Sequence, residues 1–153
     1  MTFGCLLAVE SIPKARAFYE EVLGLTLSAD FGRNIAFTCG LSLQEDFDWL
    51  TGIAKADMKT KENNCELYFD APDFDDFCAR LKARPDVKLL HDSREYPWGQ
   101  RAIRFYDLDD HLIEVGEPIK AVIDRFAAAG MSLADMAAHM DVTVQDIENM
   151  LQA

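Results

Sequence analysis

One residue constrains this chain more than any other: Glu114, a carboxylate set inside the apolar run Leu112 to Val115. It closes the stretch from Tyr96 to Gly116, which reads as a complete hairpin. A turn-forming Pro97-Trp98-Gly99 is followed by an alternating strand from Arg101 to Tyr106, a polar turn over Asp107 to His111, and then the apolar strand. Burying an unpaired carboxylate costs on the order of several kcal/mol. Glu114 is therefore expected to face water, a cation or a metal.

The pattern leading to this hairpin occurs twice. Residues 3 to 10 form an apolar, strand-like run, and Ser11 with Pro13 suits a helix start. The helix carries Ala15, Phe18, Tyr19, Val22 and Leu23 at helical spacing and stops at Gly24. Two strand-like segments follow, roughly Leu25 to Phe31 and Asn34 to Gln44, with a turn around Gly32 and an interruption at Gly40. From about residue 64 the order returns: a strand from Cys65 to Ala71, a helix with Phe74, Phe77, Cys78 and Leu81, then three strand candidates. A shift of about 62 sets Ser11 on Asp73, Ile12 on Phe74, Ala15 on Phe77 and Tyr19 on Leu81. These periodicities predict an α+β fold of paired βαβββ modules, about residues 1–47 and 64–117 of a domain spanning 1–117, joined by the polar linker Phe47 to Asn64.

The chain changes character after Pro118. A helical pattern from Ile119 to Ala129 ends at Gly130, and Ser132 with Asp135 and Thr143 with Asp146 each resemble a capping box. Residues 118–153 thus read as a tail of three short helices. The last two resemble a helix-turn-helix, but residues 120–153 carry only Lys120 and Arg125 against five acidic side chains. DNA reading there is electrostatically opposed, and a helical appendage covering sheet or a dimer surface is the favoured reading. An oligomerisation or regulatory role for the tail is the alternative.

Charge points the same way. Fifteen basic against twenty-seven acidic residues give a formal net charge of −12, which repels nucleic acid and anionic membrane surfaces. Its ordinary role is to keep a protein soluble, and it also favours cationic small molecules. No stretch approaches the ~18 apolar residues of a membrane span, and the start of the chain lacks the basic and apolar regions of a signal peptide. Cys5, Cys39, Cys65 and Cys78 lie far apart, three of them in apolar segments, and read as reduced core cysteines. A cytoplasmic protein is expected.

Phe18-Tyr19 followed by Val22-Leu23-Gly24, after a strand and Ser-Ile-Pro, resembles the first-module signature of the vicinal oxygen chelate superfamily, the glyoxalase, bleomycin-resistance and extradiol-dioxygenase group. Pro97-Trp98-Gly99-Gln100-Arg101 and the turn Asp107 to His111 before Leu112-Ile113-Glu114 resemble its second, with Leu108 in place of a proline and Asp110 in place of a glycine. The resemblance implies two modules curling around a shared cleft. In metal-dependent members of the group, four inward side chains hold a divalent cation that polarises the substrate. Carried onto this chain, the first ligand place falls on Gly4, which has no side chain. The second falls on Gln44, or on Ser42 because of the interruption at Gly40, the third on Glu66 and the fourth on Glu114.

What the resemblance implies is a protein that binds a small molecule in the cleft without the full metal set. Gln44, Glu66, Tyr68, Trp98, Arg101 and Glu114 are the candidate lining residues. Tyr68 shares the face of Glu66 and Glu114 by strand parity, whereas Leu67, Phe69, Ile113 and Val115 face the helices. Phe105 and Tyr106 are the remaining aromatic candidates, with core as their ordinary fate. The alternative is a lyase, isomerase or dioxygenase whose magnesium or manganese is held by Glu66, Glu114 and Gln44 with water, Glu114 being the candidate catalytic residue. The two carboxylates also suit a floor for an amine or guanidinium, and Arg101 or Arg104 is positioned to pair with Glu114. His91, His111 and His139 are expected at the surface, His91 in a loop and His111 exposed on the hairpin turn. Apolar faces on the outer strands, with the habit of the group, favour a homodimer.

Overall fold

Helix α1 (Ile12–Leu23) starts where its sequence dictates. Ser11 has extended backbone, Pro13 sits in the first turn, and the free Ile12 N–H donates to the Glu45 carboxylate at 2.9 Å. Gly24 ends it at φ 66, a left-handed conformation that costs a residue without Cβ little. The helix is preceded by strand β1 (Cys5–Ala8) and followed by β2 (Leu27–Asp30), β3 (Asn34–Phe37) and β4 (Leu41–Gln44). Then come a five-residue helix α2 (Phe47–Thr51) and a 3-10 turn, Lys55–Asp57, in a mostly exposed connection. The second run repeats the first: β5 (Leu67–Asp70), α3 (Phe74–Lys82), β6 (Lys88–Glu95), β7 (Arg101–Tyr106) and β8 (Leu112–Gly116). Three helices, α4 (Ile119–Ala128), α5 (Leu133–Met140) and α6 (Val144–Gln152), complete this computed structural model, which describes residues 3–152.

The two runs form separate four-stranded sheets of equivalent order, β1-β4-β3-β2 and β5-β8-β7-β6. In each, the first strand pairs in parallel with the fourth. Parallel neighbours cannot be joined by a tight turn, so a helix makes the crossover. The positions that the shift of about 62 superposes are equivalent in fact: Ser11 and Asp73 precede their helices, and Ile12, Ala15 and Tyr19 are buried like Phe74, Phe77 and Leu81. The fold is α+β, as the periodicities predict. The chain divides into two units, the described residues up to Cys65 with Tyr106–Leu112, and Glu66–Phe105 with the described residues from Ile113 onward.

In the first unit, the hairpin turn is closed by a buried carboxylate. Asp107 accepts the Tyr19 hydroxyl at 2.8 Å, the backbone N–H groups of Asp109 and His111 at 3.0 and 2.8 Å, and the His111 imidazole Nδ1 at 2.8 Å. Asp110 stands at φ 64, filling with an aspartate the left-handed position its turn requires. His111 is thus half-buried and bonded rather than exposed, because a neighbour four residues back fixes its ring. His91 lies in strand β6 rather than a loop, since the polar His91-Asp92-Ser93-Arg94 belongs to a largely exposed edge strand. All four cysteines are free, but only Cys78 is buried. Cys39 falls in the turn before Gly40 and Cys65 just ahead of β5, so both are exposed.

The tail has its own apolar cluster, in which Val122, Ile123 and Phe126 of α4 meet Met136, Ala137 and Met140 of α5 and Ile147 of α6. Both capping boxes form: Ser132 Oγ accepts the Asp135 N–H at 3.2 Å and Asp135 Oδ2 the Ser132 N–H at 3.3 Å. Thr143 and Asp146 do the same at 3.1 and 2.9 Å. Within the second unit, Arg125 donates to the Gly99 carbonyl at 2.6 Å and pairs with Glu117 at 3.2 Å. Phe126 packs over Gly99 so closely that a Cβ there would overlap its ring. With φ at +87 as well, Gly99→Ala is expected to lower the unfolding free energy by about 2–4 kcal/mol in urea titration. An unchanged midpoint would refute that packing.

The turn carboxylate also makes stability depend on pH. Burial works against the His111 imidazolium, but the bond and charge of Asp107 outweigh it and raise the pKa above its ordinary 6.5. Burial likewise opposes ionised Asp107, and the bonds from His111 and Tyr19 outweigh it, lowering its pKa below 3.8. A raised histidine pKa stabilises fully below the unfolded value and ceases to as pH rises through the folded one. A depressed carboxyl pKa stabilises above the unfolded value and ceases to as pH falls through the folded one. Stabilisation by the pair is therefore full between the two unfolded values. Substituting His111→Phe should cost more stability at pH about 5 than at pH about 9, and an equal cost at both would contradict the pairing.

Candidate functional site

Strand pairing in the second unit fixes the centre of the site. In the parallel β5–β8 ladder Leu67 stands opposite Ile113, Tyr68 opposite Glu114, Phe69 opposite Val115 and Asp70 opposite Gly116. Ile113 and Val115 are fully buried, so the alternate residues, Glu114 and Tyr68, share the opposite face. Glu114 is 6% exposed and Tyr68 48%. The strand thus holds a carboxylate away from bulk water beside an accessible phenol.

Contacts within this unit close into a ring. Arg104, one strand over on β7, pairs its Nη2 with Glu114 Oε2 and reaches Glu66 through Nε at 2.8 Å and Nη2 at 3.3 Å. Its Nη1 bonds the Tyr96 hydroxyl, and the guanidinium lies 5.2 Å from the centre of the Tyr96 ring. Tyr96 stacks on Trp98 at 4.9 Å, Trp98 Nε1 donates to Gln100 Oε1 at 3.1 Å, and Gln100 Nε2 donates to the Tyr68 hydroxyl at 2.9 Å. Tyr68 stands beside Glu114 in the ladder, which completes the circuit. Gly116 leaves the space: a Cβ there would come within 3.1 Å of both the Gln100 amide and the Tyr68 hydroxyl.

Glu114 is tied to the ring by charge. Its Oε2 lies against Arg104 Nη2, and that guanidinium is the cation its burial requires.

Glu66, Tyr68, Trp98 and Glu114 are therefore brought together. Arg101 is not: it lies on the helix-facing side of β7, over the Phe74 ring, and binds Asp75 at 2.8 Å and Glu117 at 3.1 Å beside a small depression under α3. Those partners raise its pKa. Gln44 belongs to the first unit, where its amide accepts from Asn34 at 3.2 Å and donates to the Glu45 carbonyl at 2.6 Å. Phe105 and Tyr106 are buried. The ring residues Tyr96 and Gln100 were not among the sequence candidates; they flank the Pro97-Trp98-Gly99 turn, which Gly99 N–H closes onto the Tyr96 carbonyl.

These donors do not fit a divalent ion. Among the described residues no three His, Cys, Asp or Glu side chains converge to hold one. The two carboxylates that remain at the inferred ligand places already share a guanidinium. At about 4 Å and an effective dielectric constant of about 20, a dication and that guanidinium repel by roughly 8 kcal/mol.

Residues 3–120 match the glyoxalase-like domain family, and the chain belongs to that family, within the vicinal oxygen chelate superfamily. A protein of unknown function from Agrobacterium tumefaciens is 34% identical, with a TM-score of 0.67 over 76% of this chain and 94% of that one. A lactoylglutathione lyase from the same organism (22%, TM-score 0.58, covering 76% and 92%) and a fosfomycin resistance protein from Mesorhizobium loti (19%, 0.54, 76% and 91%) share the fold. No curated protein is similar in sequence. No helix among the described residues is long and apolar enough to cross a membrane.

Burial first, then the 2.5 Å bond to Asp70, pushes the Tyr68 phenol up to about 12, against an opposing bond from Gln100. In alkaline absorbance titration Asp70→Asn should bring that transition down towards the ordinary phenol value. Tyr68→Phe should remove it altogether. An Asp70→Asn curve superposing on the parent's would show that the carboxylate does not act on the phenol.

Proposed function

We propose that this chain is a small-molecule-binding protein of the glyoxalase and bleomycin-resistance type, holding its ligand on the carboxylate face of the second unit. The observation that carries the reading is the cluster itself, in which two carboxylates share one guanidinium beside the exposed rings of Tyr68 and Trp98. Glu66 and Glu114 against one Arg104 leave the cluster with a single net negative charge, and the whole chain carries −12. Both favour a ligand with a positive, hydrogen-donating group. The accessible rings of Tyr68 and Trp98, the latter 40% exposed, suit a flat apolar portion. Glutamate, tyrosine and tryptophan here bind and orient the ligand, and this chain sequesters it rather than transforming it.

A cytoplasmic homodimer is the setting we propose, supported by Leu89 and Leu90 exposed on the edge strand β6. A partner of nucleic acid is disfavoured by the charge.

The test uses a series of arylalkylamines and the matching arylalkanoates, titrated calorimetrically. Amines should bind at least about tenfold more tightly than their carboxylate counterparts, and Glu114→Gln should weaken them by about tenfold or more, the scale of one charge-assisted hydrogen bond. Equal affinity of the two series, or an indifferent Glu114→Gln, would remove the basis of the proposal.

A further inference from the structure

Arg104 is the best-connected side chain of the site, and its position sets what the two carboxylates can do. Its guanidinium lies between Glu66 and Glu114, bonded to one through two nitrogens and paired with the other, with the Tyr96 hydroxyl on its third nitrogen and the Tyr96 ring beside it. The side chain is only 19% exposed. Glu66 and Glu114 are the two carboxylates at the ligand places that the family resemblance implies, and the structure gives both to an arginine.

We infer that Arg104 is a resident cation standing in for the divalent ion, so that this chain excludes such ions and conceals a cation site that appears when the guanidinium is removed. A guanidinium is permanently charged, planar, and able to satisfy two carboxylates at once, which a lysine ammonium does less well. It supplies the positive charge that Glu114 needs in its strand and cannot be lost to chelators or competing metals. The cost is Lewis acidity, since an arginine offers no open coordination position. With Arg104 gone, a hard cation would find carboxylate oxygens from Glu66 and Glu114 and the Tyr96 hydroxyl, with water completing its shell.

The inference shares its site with the function proposed above but not its ligand. Failure of the amine series would leave the metal titration unaffected, and the reverse holds too. The test is Mn2+ binding to chelator-treated full chain near neutral pH, followed by electron paramagnetic resonance, for the parent, Arg104→Gln, Arg104→Lys and the double variant Arg104→Gln with Glu114→Gln. Glutamine can still donate to Glu114, which spares the fold. Arg104→Gln should gain one ion per chain at least about tenfold more tightly than the loose association an acidic surface gives the parent, and the double variant should lose it. Arg104→Lys, which keeps a positive charge, should behave as the parent. One tight ion on the parent, or a folded Arg104→Gln no better than the parent, overturns the inference. Should Arg104→Gln lack native circular dichroism in buffer alone, its recovery on adding Mn2+ supports the inference and the lack of recovery overturns it.

Discussion

The parallel pairing of β5 with β8 is the constraint on which the site depends. Ile113 and Val115 are core residues whose burial fixes the register of β8, because a slip by one residue would put them on the open face and Glu114 inside. With the register fixed, Glu114 cannot turn away. A carboxylate so placed needs a positive neighbour, and the adjoining strand supplies Arg104 at the level where its guanidinium reaches both Glu114 and Glu66. The aromatic pair and the Gln100–Tyr68 bond then follow from what is left to pack and to satisfy around that arginine.

Much of this was legible in the sequence where the signal is local. The limits of α1, its glycine stop, both tail capping boxes and the face of Tyr68 all follow from spacing of a few residues. What spacing could not supply was the identity of distant partners. Arg104 and Glu66 are 38 residues apart, and Asp107 and Tyr19 are 88 apart. For that reason His111 reads as an exposed turn residue until Asp107 is seen to hold it, and Arg101 and Arg104 look equivalent until strand parity separates them. The cysteines fail differently: an apolar run marks a strand without marking where pairing stops, and Cys39 and Cys65 lie just beyond those ends.

The glyoxalase-like match covers both βαβββ runs and ends at residue 120. At the ligand places that the resemblance implies, Gly4 has no side chain, Gln44 is bonded to Asn34 and to the Glu45 carbonyl, and the carboxylates face an arginine. The same scaffold accommodates this because each sheet fixes where a side chain stands and not which side chain it is. The tail lies almost wholly beyond the family match, and its first helix is fastened to the rest of the second unit through Arg125.

That fastening makes the chain unevenly open to sequence drift. Arg125 grips the carbonyl of Gly99, a main-chain oxygen that every residue possesses, so neighbouring positions in the loop can vary without weakening its hold. Phe126 imposes the opposite condition on Gly99 itself, where it tolerates no side chain at all. A lineage carrying this appendage is thereby held to glycine at one position of a hairpin that the appendage does not otherwise resemble or encode, while the helices beyond remain free to acquire a new surface.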